Sequence, residues 1–345
     1  MTPADTDMLV RPYTHADRAP LLELLREVWP HKRDVAAQVE DRWWWRHAGP
    51  PIVVAEQREP RRLVGLCAFM PFTLVSRGTA HSAAWFVDFF VLPGCQGRGI
   101  GSRLTRAVQD RFAVTASLSQ TEMAYRVFRK LEWHERMPVT LYMHPLPQRW
   151  MIRAPAGEYR VETSSVESSG GAAAALDDLW SRLQGSYPVM AQRTGAEILA
   201  RYAAQGARRY QLLRCHTPRS CAGYMVVRPV QPMSDGAPPR DGLIVDFLVP
   251  PGEPAVFQAL LHEAASFLLE AGVRRIYCLS TVPACQRVLT RHGFLSPSTP
   301  VLGRRLRGNT KWLTFTAAAG SLPADPASWH LTLGDCDLDH VWYRP

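Results

Sequence analysis

One stretch, Trp85 to Phe112, constrains this chain more than any other. Trp85-Phe86-Val87-Asp88-Phe89-Phe90-Val91 is apolar, aromatic and β-branched, the composition of a buried strand. Leu92-Pro93-Gly94 stops it. Gln96-Gly97-Arg98-Gly99-Ile100-Gly101 follows at once. From Ser102 a helical pattern begins, with Leu104, Val108 and Phe112 on one face and Arg103, Arg106 and Asp110 off it. Strand, glycine-rich turn and helix N-terminus together form an anion cradle. Glycine lets the backbone approach closely, and the first N–H groups and the dipole of the helix favour negative charge. The turn is not a P-loop, which needs Lys followed by Ser or Thr after its second glycine. Nor is it the dinucleotide fingerprint, whose third glycine position holds Ser102 here.

The pattern left is Gln/Arg-x-x-Gly-x-Gly/Ala, met by Gln96, Gly99 and Gly101 behind a Val-x-Pro strand end. It resembles the GNAT superfamily of acyl-CoA-dependent N-acyltransferases. The order of elements points the same way. Met8–Tyr13 reads as a strand, Leu21–Val28 as an amphipathic helix ending near Pro30, and Val35–His47 as a further helical stretch carrying Trp43, Trp44 and Trp45. Strands follow at Ile52–Glu56, Leu63–Phe72 and Leu74–Ala84, the last running into the Trp85 strand. Beyond the cradle helix come a strand at Val114–Leu118, a helix at Glu122–Leu131 capped by Thr121 or Ser119, and strands at Trp133–Arg136 and Val139–His144. That order is a mixed sheet flanked by helices, and it is also the order of the GNAT fold. The three adjacent indoles cannot all face one core. One of them lines an acceptor pocket or packs on a neighbouring loop.

In the family this turn holds the pyrophosphate of coenzyme A. The resemblance therefore implies cofactor contacts at Gln96, Gly97, Arg98, Gly99, Ile100, Gly101 and Ser102. It further implies that Phe89, Phe90 and Val91 offer a β-edge to the pantetheine arm, with Ser119 and Phe128 as additional contacts, and that the Val91 N–H binds the thioester oxygen. Asp88 is the only acid on the central strand. It is the candidate general base; the alternative is a buried Asp held by hydrogen bonds. The family's usual acid, a Tyr in A-x-x-x-Tyr-x-x-x-Gly-Phe, falls on Phe128 when the pattern is laid over Ala124–Trp133, so that acid is missing. Tyr125, about one turn earlier, either substitutes for it or packs.

The second half is a worn copy of the first. Val87-Asp88-Phe89-Phe90-Val91-Leu92-Pro93-Gly94 recurs as Val245-Asp246-Phe247-Leu248-Val249-Pro250-Pro251-Gly252, identical at six of eight positions. Ser117-Leu118-Ser119 is matched by Cys278-Leu279-Ser280, Arg126-Val127 by Arg287-Val288, and Trp133 by Phe294. The glycine turn is replaced by Glu253-Pro254-Ala255-Val256-Phe257-Gln258-Ala259, where an acid repels phosphate and Pro254 removes a donor. The expected fold is α/β, mixed α+β, in two tandem GNAT-like domains, each a mixed, mostly antiparallel twisted sheet flanked by helices. Residues 1–150 would hold the intact loop and 158–345 the degenerate copy, in which Asp246 is structural. The tail from Ser328 reads as a docking strand followed by acidic surface residues Asp335, Asp337 and Asp339, without the Gly and Glu of a calcium loop.

The formal charge of +9 is nearly all Arg, scattered rather than clustered, and gives no nucleic-acid footprint. It reads as a basic surface or as a basic mouth for an anionic cofactor or an acidic carrier protein. Seven cysteines without metal-type spacing suggest a reducing compartment, and no leader or membrane-length apolar run is evident, so a cytoplasmic location is expected. The expected activity is N-acyl transfer, most simply N-acetyl transfer, from acyl-CoA to a primary amine of a small molecule by direct attack, without metal. Variants use a peptide or protein amine, a longer acyl chain or an acyl carrier protein donor. A reading of another class is a module that holds acyl-CoA without turnover. Lys130-Leu131-x-Trp133, the indoles near the start and the Trp329-x-x-Thr332-x-Gly334-Asp335-x-Asp337 tail resemble tandem GNAT proteins of surface polysaccharide assembly. That resemblance implies an amino sugar held in the cleft between the halves and stacked on tryptophan.

Overall fold

The computed structural model describes residues 7–30, 51–145, 152–203, 208–218, 220–230, 239–300, 306–317 and 322–339. Its strands are β1 (Met8–Pro12), β2 (Ile52–Gln57), β3 (Arg62–Ser76), β4 (Thr79–Val91), β5 (Val114–Leu118), β6 (Met137–Pro145), β7 (Arg160–Ser165), β8 (Val189–Ala191), β9 (Gln211–His216), β10 (Cys221–Pro229), β11 (Asp241–Leu248), β12 (Arg275–Leu279), β13 (Thr310–Ala317) and β14 (Trp329–His330). Its α-helices are α1 (Arg18–Val28), α2 (Ile100–Gln109), α3 (Glu122–Lys130), α4 (Ala173–Leu183), α5 (Gly195–Tyr202), α6 (Pro254–Glu270) and α7 (Pro283–Arg291). The helix expected at 35–47, with Trp43, Trp44 and Trp45, lies outside the described residues. Among the described residues no helix is long and apolar enough to cross a membrane.

The chain forms two compact units. One takes in Met1–Thr73, His81–Met137 and Trp312–Leu322; the other takes in Leu74–Ala80, Pro138–Lys311 and Pro323–Pro345. These units are drawn differently from the linear halves 1–150 and 158–345. The Pro- and Gly-rich stretch at 145–158 carries a composition shift, whereas membership of a unit follows strand pairing.

In the first unit the strand order is β1-β2-β3-β4-β5-β13. β4 and β5 are parallel, in register from Ala83↔Val114 to Phe86↔Ser117, and β1–β2, β2–β3 and β5–β13 are antiparallel. The amphipathic faces of α1 (Leu21, Leu24, Leu25), α2 (Ile100, Leu104, Val108) and α3 (Ala124, Phe128) close one core with Val54, Leu66, Phe69, Ala84 and Phe86. Each of the Leu, Ile, Val and Phe side chains among these contributes roughly 1.5–3 kcal/mol by leaving water.

Two expectations change here. Leu74–Ala84 is not one strand. Arg77 (φ 48°) and Gly78 (φ 78°) both sit in the left-handed region and turn the chain as a tight hairpin between β3 and β4. Trp133–Arg136 is not a strand either. The Trp133 N–H donates to the Phe128 carbonyl at 3.1 Å, closing α3, and its indole stacks on Phe128 with centroids 4.2 Å apart. The strand beside β5 is instead β13, paired from Leu313↔Leu118 to Ala317↔Val114.

In the second unit the order is β7-β9-β10-β11-β12-β6. β11 and β12 are parallel from Asp241↔Arg275 to Ile244↔Cys278, and β6 lies antiparallel to β12. The duplication extends past the matched sequence. Both parallel pairs end at equivalent positions, Phe86↔Ser117 and Ile244↔Cys278. A Cβ on Gly65 would stand 3.0 Å from the Phe90 carbonyl oxygen, and one on Gly223 would stand 3.0 Å from that of Leu248, its counterpart. Helix α7 is closed by Phe294 N–H to Leu289 O at 3.0 Å, as α3 is by Trp133.

The C-terminal segment belongs to this second unit. Trp329 to Asp339 is buried along its whole length. β14 runs parallel to β8. The Thr281 hydroxyl donates to the Trp329 carbonyl and accepts the Leu331 N–H at 2.9 Å. Asp335, Asp337 and Asp339 are therefore not surface acids: none is more than 7 % exposed. Buried carboxylates need compensation. The Arg193 guanidinium bridges Asp246 at 3.2 Å and Asp335 at 2.8 Å. The Tyr210 hydroxyl donates to Asp339 at 2.8 Å, and the Arg228 guanidinium donates to the Asp339 carbonyl.

Candidate functional site

The site is built where β4 outruns its neighbour. Past Phe86↔Ser117, Val87 to Val91 continue beyond the parallel pairing. Pro93–Cys95 makes one 3₁₀ turn, and the Gln96 Nε2 donates back to the Val91 carbonyl at 3.1 Å, tying the loop to the strand end. Gly97 (φ 77°) and Gly99 (φ 76°) then place two left-handed residues in the turn, a conformation costly for residues with a Cβ. A Cβ at either would meet nothing within 4 Å among the described residues.

Gly99 is the cap of α2, and among the described residues no side chain caps that helix. Arg103 N–H to Gly99 O, at 3.1 Å, is its opening intrahelical bond. The N–H groups of Ile100, Gly101 and Ser102 are thus the orphan donors of the first turn, at the positive end of the dipole. This is the arrangement a diphosphate needs. Arg98 is exposed on the loop, whereas the Arg103 guanidinium is engaged with the Met8 carbonyl at 2.9 Å. Gly101 has a different role from Gly97 and Gly99. A Cβ there would lie 3.2 Å from Val127 and 3.3 Å from Phe89, so this glycine lets α2 and α3 approach.

The remaining sequence candidates separate by environment. Phe89, Phe90 and Val91 are half-buried along the strand end, and Trp29 meets Phe90 edge-on at 5.4 Å. Phe128 is 1 % exposed, within an aromatic cluster of Phe86, Phe89 and Trp133. Its ring packs and carries no proton to give. The Tyr125 hydroxyl accepts the Arg136 N–H at 3.4 Å, and the Arg136 guanidinium covers its ring at 4.6 Å. Tyr125 is thereby a packing partner of the segment that follows α3. Ser119 is exposed at the end of β5, with φ 69°, and its N–H donates to the Trp312 carbonyl at 2.9 Å. Asp88 is 3 % exposed, and its charge, after burial itself, helps push the neighbouring Cys67 thiol well above its ordinary range.

Its counterpart Asp246 is different. It accepts the Tyr224 hydroxyl at 3.0 Å, the Thr332 hydroxyl at 3.0 Å and its neighbour's Phe247 N–H at 2.9 Å, besides Arg193. In that unit α6 starts at Pro254, where the first unit has its loop. Phe257, at the place of Gly99, is fully buried against Phe247 at 4.9 Å. Among the described residues no cluster of three or more His, Cys, Asp or Glu side chains could hold a metal ion.

One residue escaped the sequence analysis. Gln120 lies between the end of β5 and the Thr121 cap of α3, whose hydroxyl accepts the Ala124 N–H at 3.2 Å. Both Gln120 amide atoms are out of solvent and have no partner among the described residues. The signal was available: Ser119 aligns with Ser280, which sets Gln120 opposite Thr281.

Comparison with known proteins bears on the fold. Residues 18–130 match the acetyltransferase (GNAT) family model. No curated protein sequence matches the chain. Among solved structures, a GCN5-related N-acetyltransferase from Anabaena variabilis is similar with a TM-score of 0.63 at 12% identity, over 90% of this chain and 73% of that one. The tandem GNAT protein from the clavulanic acid biosynthesis pathway is similar at 0.56 and 15% identity, over 91% of this chain and 100% of its own. N-myristoyltransferase from Saccharomyces cerevisiae, solved with bound myristoyl-CoA, is similar at 0.58 and 9% identity, over 92% and 84%. The fold is thus the tandem GNAT fold. Residues 18–130 match the acetyltransferase (GNAT) family, and the chain as a whole shares the fold of a tandem GNAT protein.

Proposed function

We propose that the first unit is an N-acyltransferase that uses acyl-CoA, most simply acetyl-CoA, to acylate a primary amine of a small molecule. The observation that carries this is the start of α2, uncapped among the described residues, behind left-handed Gly97 and Gly99, at the end of a strand that runs on past its pairing with its parallel neighbour. These residues fit a diphosphate followed by an extended arm. Ile100, Gly101 and Ser102 supply N–H donors. Gln96 holds the loop on Val91, and Phe89, Phe90 and Val91 supply the edge along which the arm would lie.

The bound thioester supplies the activated acyl group. Val91 N–H is the proposed donor to its oxygen as negative charge develops there, and Asp88 is the proposed acceptor, directly or through water, of the proton lost by the attacking amine. Neither sequence candidate for protonating the departing thiolate stands ready: Phe128 occupies the usual acid's place and Tyr125 is turned to Arg136. A thiol with an ordinary pKa of about 8.5 leaves without one at neutral pH.

A second reading, a module that binds acyl-CoA without turnover, is favoured by the same buried Phe128. Free-thiol release from acetyl-CoA across amino sugars, polyamines and peptides separates the two. Release with one amine class supports the enzyme and names its acceptor; CoA binding with no release on any of them supports the module. Repeating the panel with a long-chain acyl-CoA and with an acyl carrier protein donor tests the donor variants, of which the likeness to N-myristoyltransferase supports the first. Fractionation of cells tests the proposed cytoplasmic location.

A further inference from the structure

We propose that the two halves of the sequence have exchanged their last strands, so that the unit carrying the glycine loop is completed by residues from the far end of the chain and depends on them to hold its cofactor. The exchange stands on strand pairing alone. Its cofactor readout rests on the reading that the first unit takes acyl-CoA.

Two strands hold equivalent places in the sequence. β6 is the strand that follows α3 in the first half, and β13 is the strand that follows α7 in the second. In a plain duplication each would close its own half, β6 beside β5 and β13 beside β12. The pairing is the reverse. β13 runs antiparallel to β5, from Leu313↔Leu118 to Ala317↔Val114, and β6 runs antiparallel to β12, from Leu141↔Leu279 to Pro145↔Arg275. The match of Ser117-Leu118 to Cys278-Leu279 makes β5 and β12 equivalent, so the two ladders coincide pair for pair, each with a Leu opposite a Leu. The residue after each helix stop repeats the register. His134 follows Trp133 and donates its N–H to the Phe315 carbonyl at 2.9 Å, and Leu295 follows Phe294 and donates its N–H to the Met143 carbonyl at 2.8 Å. In the shared register Phe315 and Met143 are one position. The exchange is therefore reciprocal, and it keeps both the ladder and the bond beyond it.

Without its far strand each unit would be left open. β5 is buried at every position from Val114 to Leu118, and Leu313 and Phe315 of β13 are fully buried with it. Taking β13 away would bare a row of unpaired N–H and C=O groups and the apolar side chains beside them, and buried backbone groups without partners are costly. The turn at the end of β5 is tied to the same strand, because the Ser119 N–H donates to the Trp312 carbonyl at 2.9 Å. β5 is in turn the parallel partner of β4, whose end leads into the glycine loop. Residues 18–130 thus hold the sequence of the loop without holding all of the sheet that sets it. The dependence is mirrored in the second unit, where β12 takes its antiparallel partner from Met137–Pro145.

The test compares full-length chains carrying Phe315→Pro or Met143→Pro, the same position of β13 and β6, by amide hydrogen exchange and by calorimetry with CoA. A proline inside a strand removes a ladder bond and breaks the pairing. Phe315→Pro should leave residues 114–118 unprotected and 275–279 protected. CoA should bind to it at least about 10-fold more weakly, the loss expected once a tenth or fewer of the chains keep the site formed. Met143→Pro should leave 275–279 unprotected, with 114–118 protected and CoA affinity kept. The opposite assignment overturns the exchange, and unchanged CoA affinity with 114–118 unprotected overturns the dependence of the cofactor on β13. If either variant does not fold, paired cysteines in the otherwise unaltered chain decide. Thr115→Cys with Thr316→Cys, and Ile276→Cys with His144→Cys, should cross-link on mild oxidation, whereas Thr115→Cys with His144→Cys should not; the reverse result overturns the exchange. If the wild type binds no CoA, the acyl-CoA reading fails instead, and hydrogen exchange and cross-linking still decide the strand exchange.

Discussion

The turn after β4 and the turn after β11 begin from nearly the same eight residues and end in opposite structures. After Pro93-Gly94 the chain makes two left-handed glycines and a helix start uncapped among the described residues. After Pro251-Gly252 it makes Glu253 and enters a helix at once, burying Val256 and Phe257 where the first unit has its glycine turn. The parallel pairs, the close-packed glycines at 65 and 223 and the helix stops at Trp133 and Phe294 are kept in both units. The fold therefore survives the loss of the cradle, because strand pairing and core packing do not depend on it. What the second unit gains in exchange is its own C-terminal segment, tied in by Arg193 and Thr281.

The largest test of this contrast sets Asp88 against Asp246. Asp88→Asn should lower turnover about 10²- to 10⁴-fold, the usual range for a general base, with CoA affinity unchanged. Full turnover in Asp88→Asn would make the strand acid structural in both units. Arg193→Met should leave Asp246 and Asp335 as uncompensated buried acids and cost about 3–5 kcal/mol of stability by denaturant titration, while protein that remains folded still binds CoA. Gly99→Val should weaken CoA binding on the order of 100-fold, by a strained left-handed valine and a side chain in the cradle. Phe257→Leu, at the matching place, should cost stability and leave CoA affinity alone.

The smallest expected effect is a pH slope. His330 is fully buried between Tyr187 and Phe247, and neither ring nitrogen has a partner among the described residues. Burial, and then the charge of Arg193, hold its pKa well below the ordinary 6.5. Below about pH 6.5 the unfolded chain takes up a proton that the folded chain refuses, so stability falls as pH drops through that value. His330→Phe should flatten the slope between pH 6.5 and 5; a slope identical to the wild type would place its origin elsewhere.

The part of the molecule legible in sequence was the part governed by local chemistry. Gln96 to Gly101 announce their turn because left-handed backbone calls for glycine, and the Val-Asp-Phe repeat exposes the duplication. The strand beside β5 was not legible. β13 comes from far along the chain, and strand pairing over such a separation leaves no local periodicity, whereas Trp133–Arg136 looked like a strand through its aromatic residue alone. The tail misled for an electrostatic reason. Asp335, Asp337 and Asp339 read as surface acids until Arg193, Tyr210 and Arg228 are seen to compensate the buried segment. Gly101 was grouped with Gly97 and Gly99, although its φ is ordinary and its task is to let two helices touch.

Titrating the whole chain with CoA by calorimetry tests the central claim most directly. One equivalent per chain, lost in Gly99→Val and retained in Phe257→Leu, is the predicted result. Two equivalents would put the cofactor in both units, and a single one that survives Gly99→Val and disappears with Phe257→Leu would put it in the second; either result contradicts the claim.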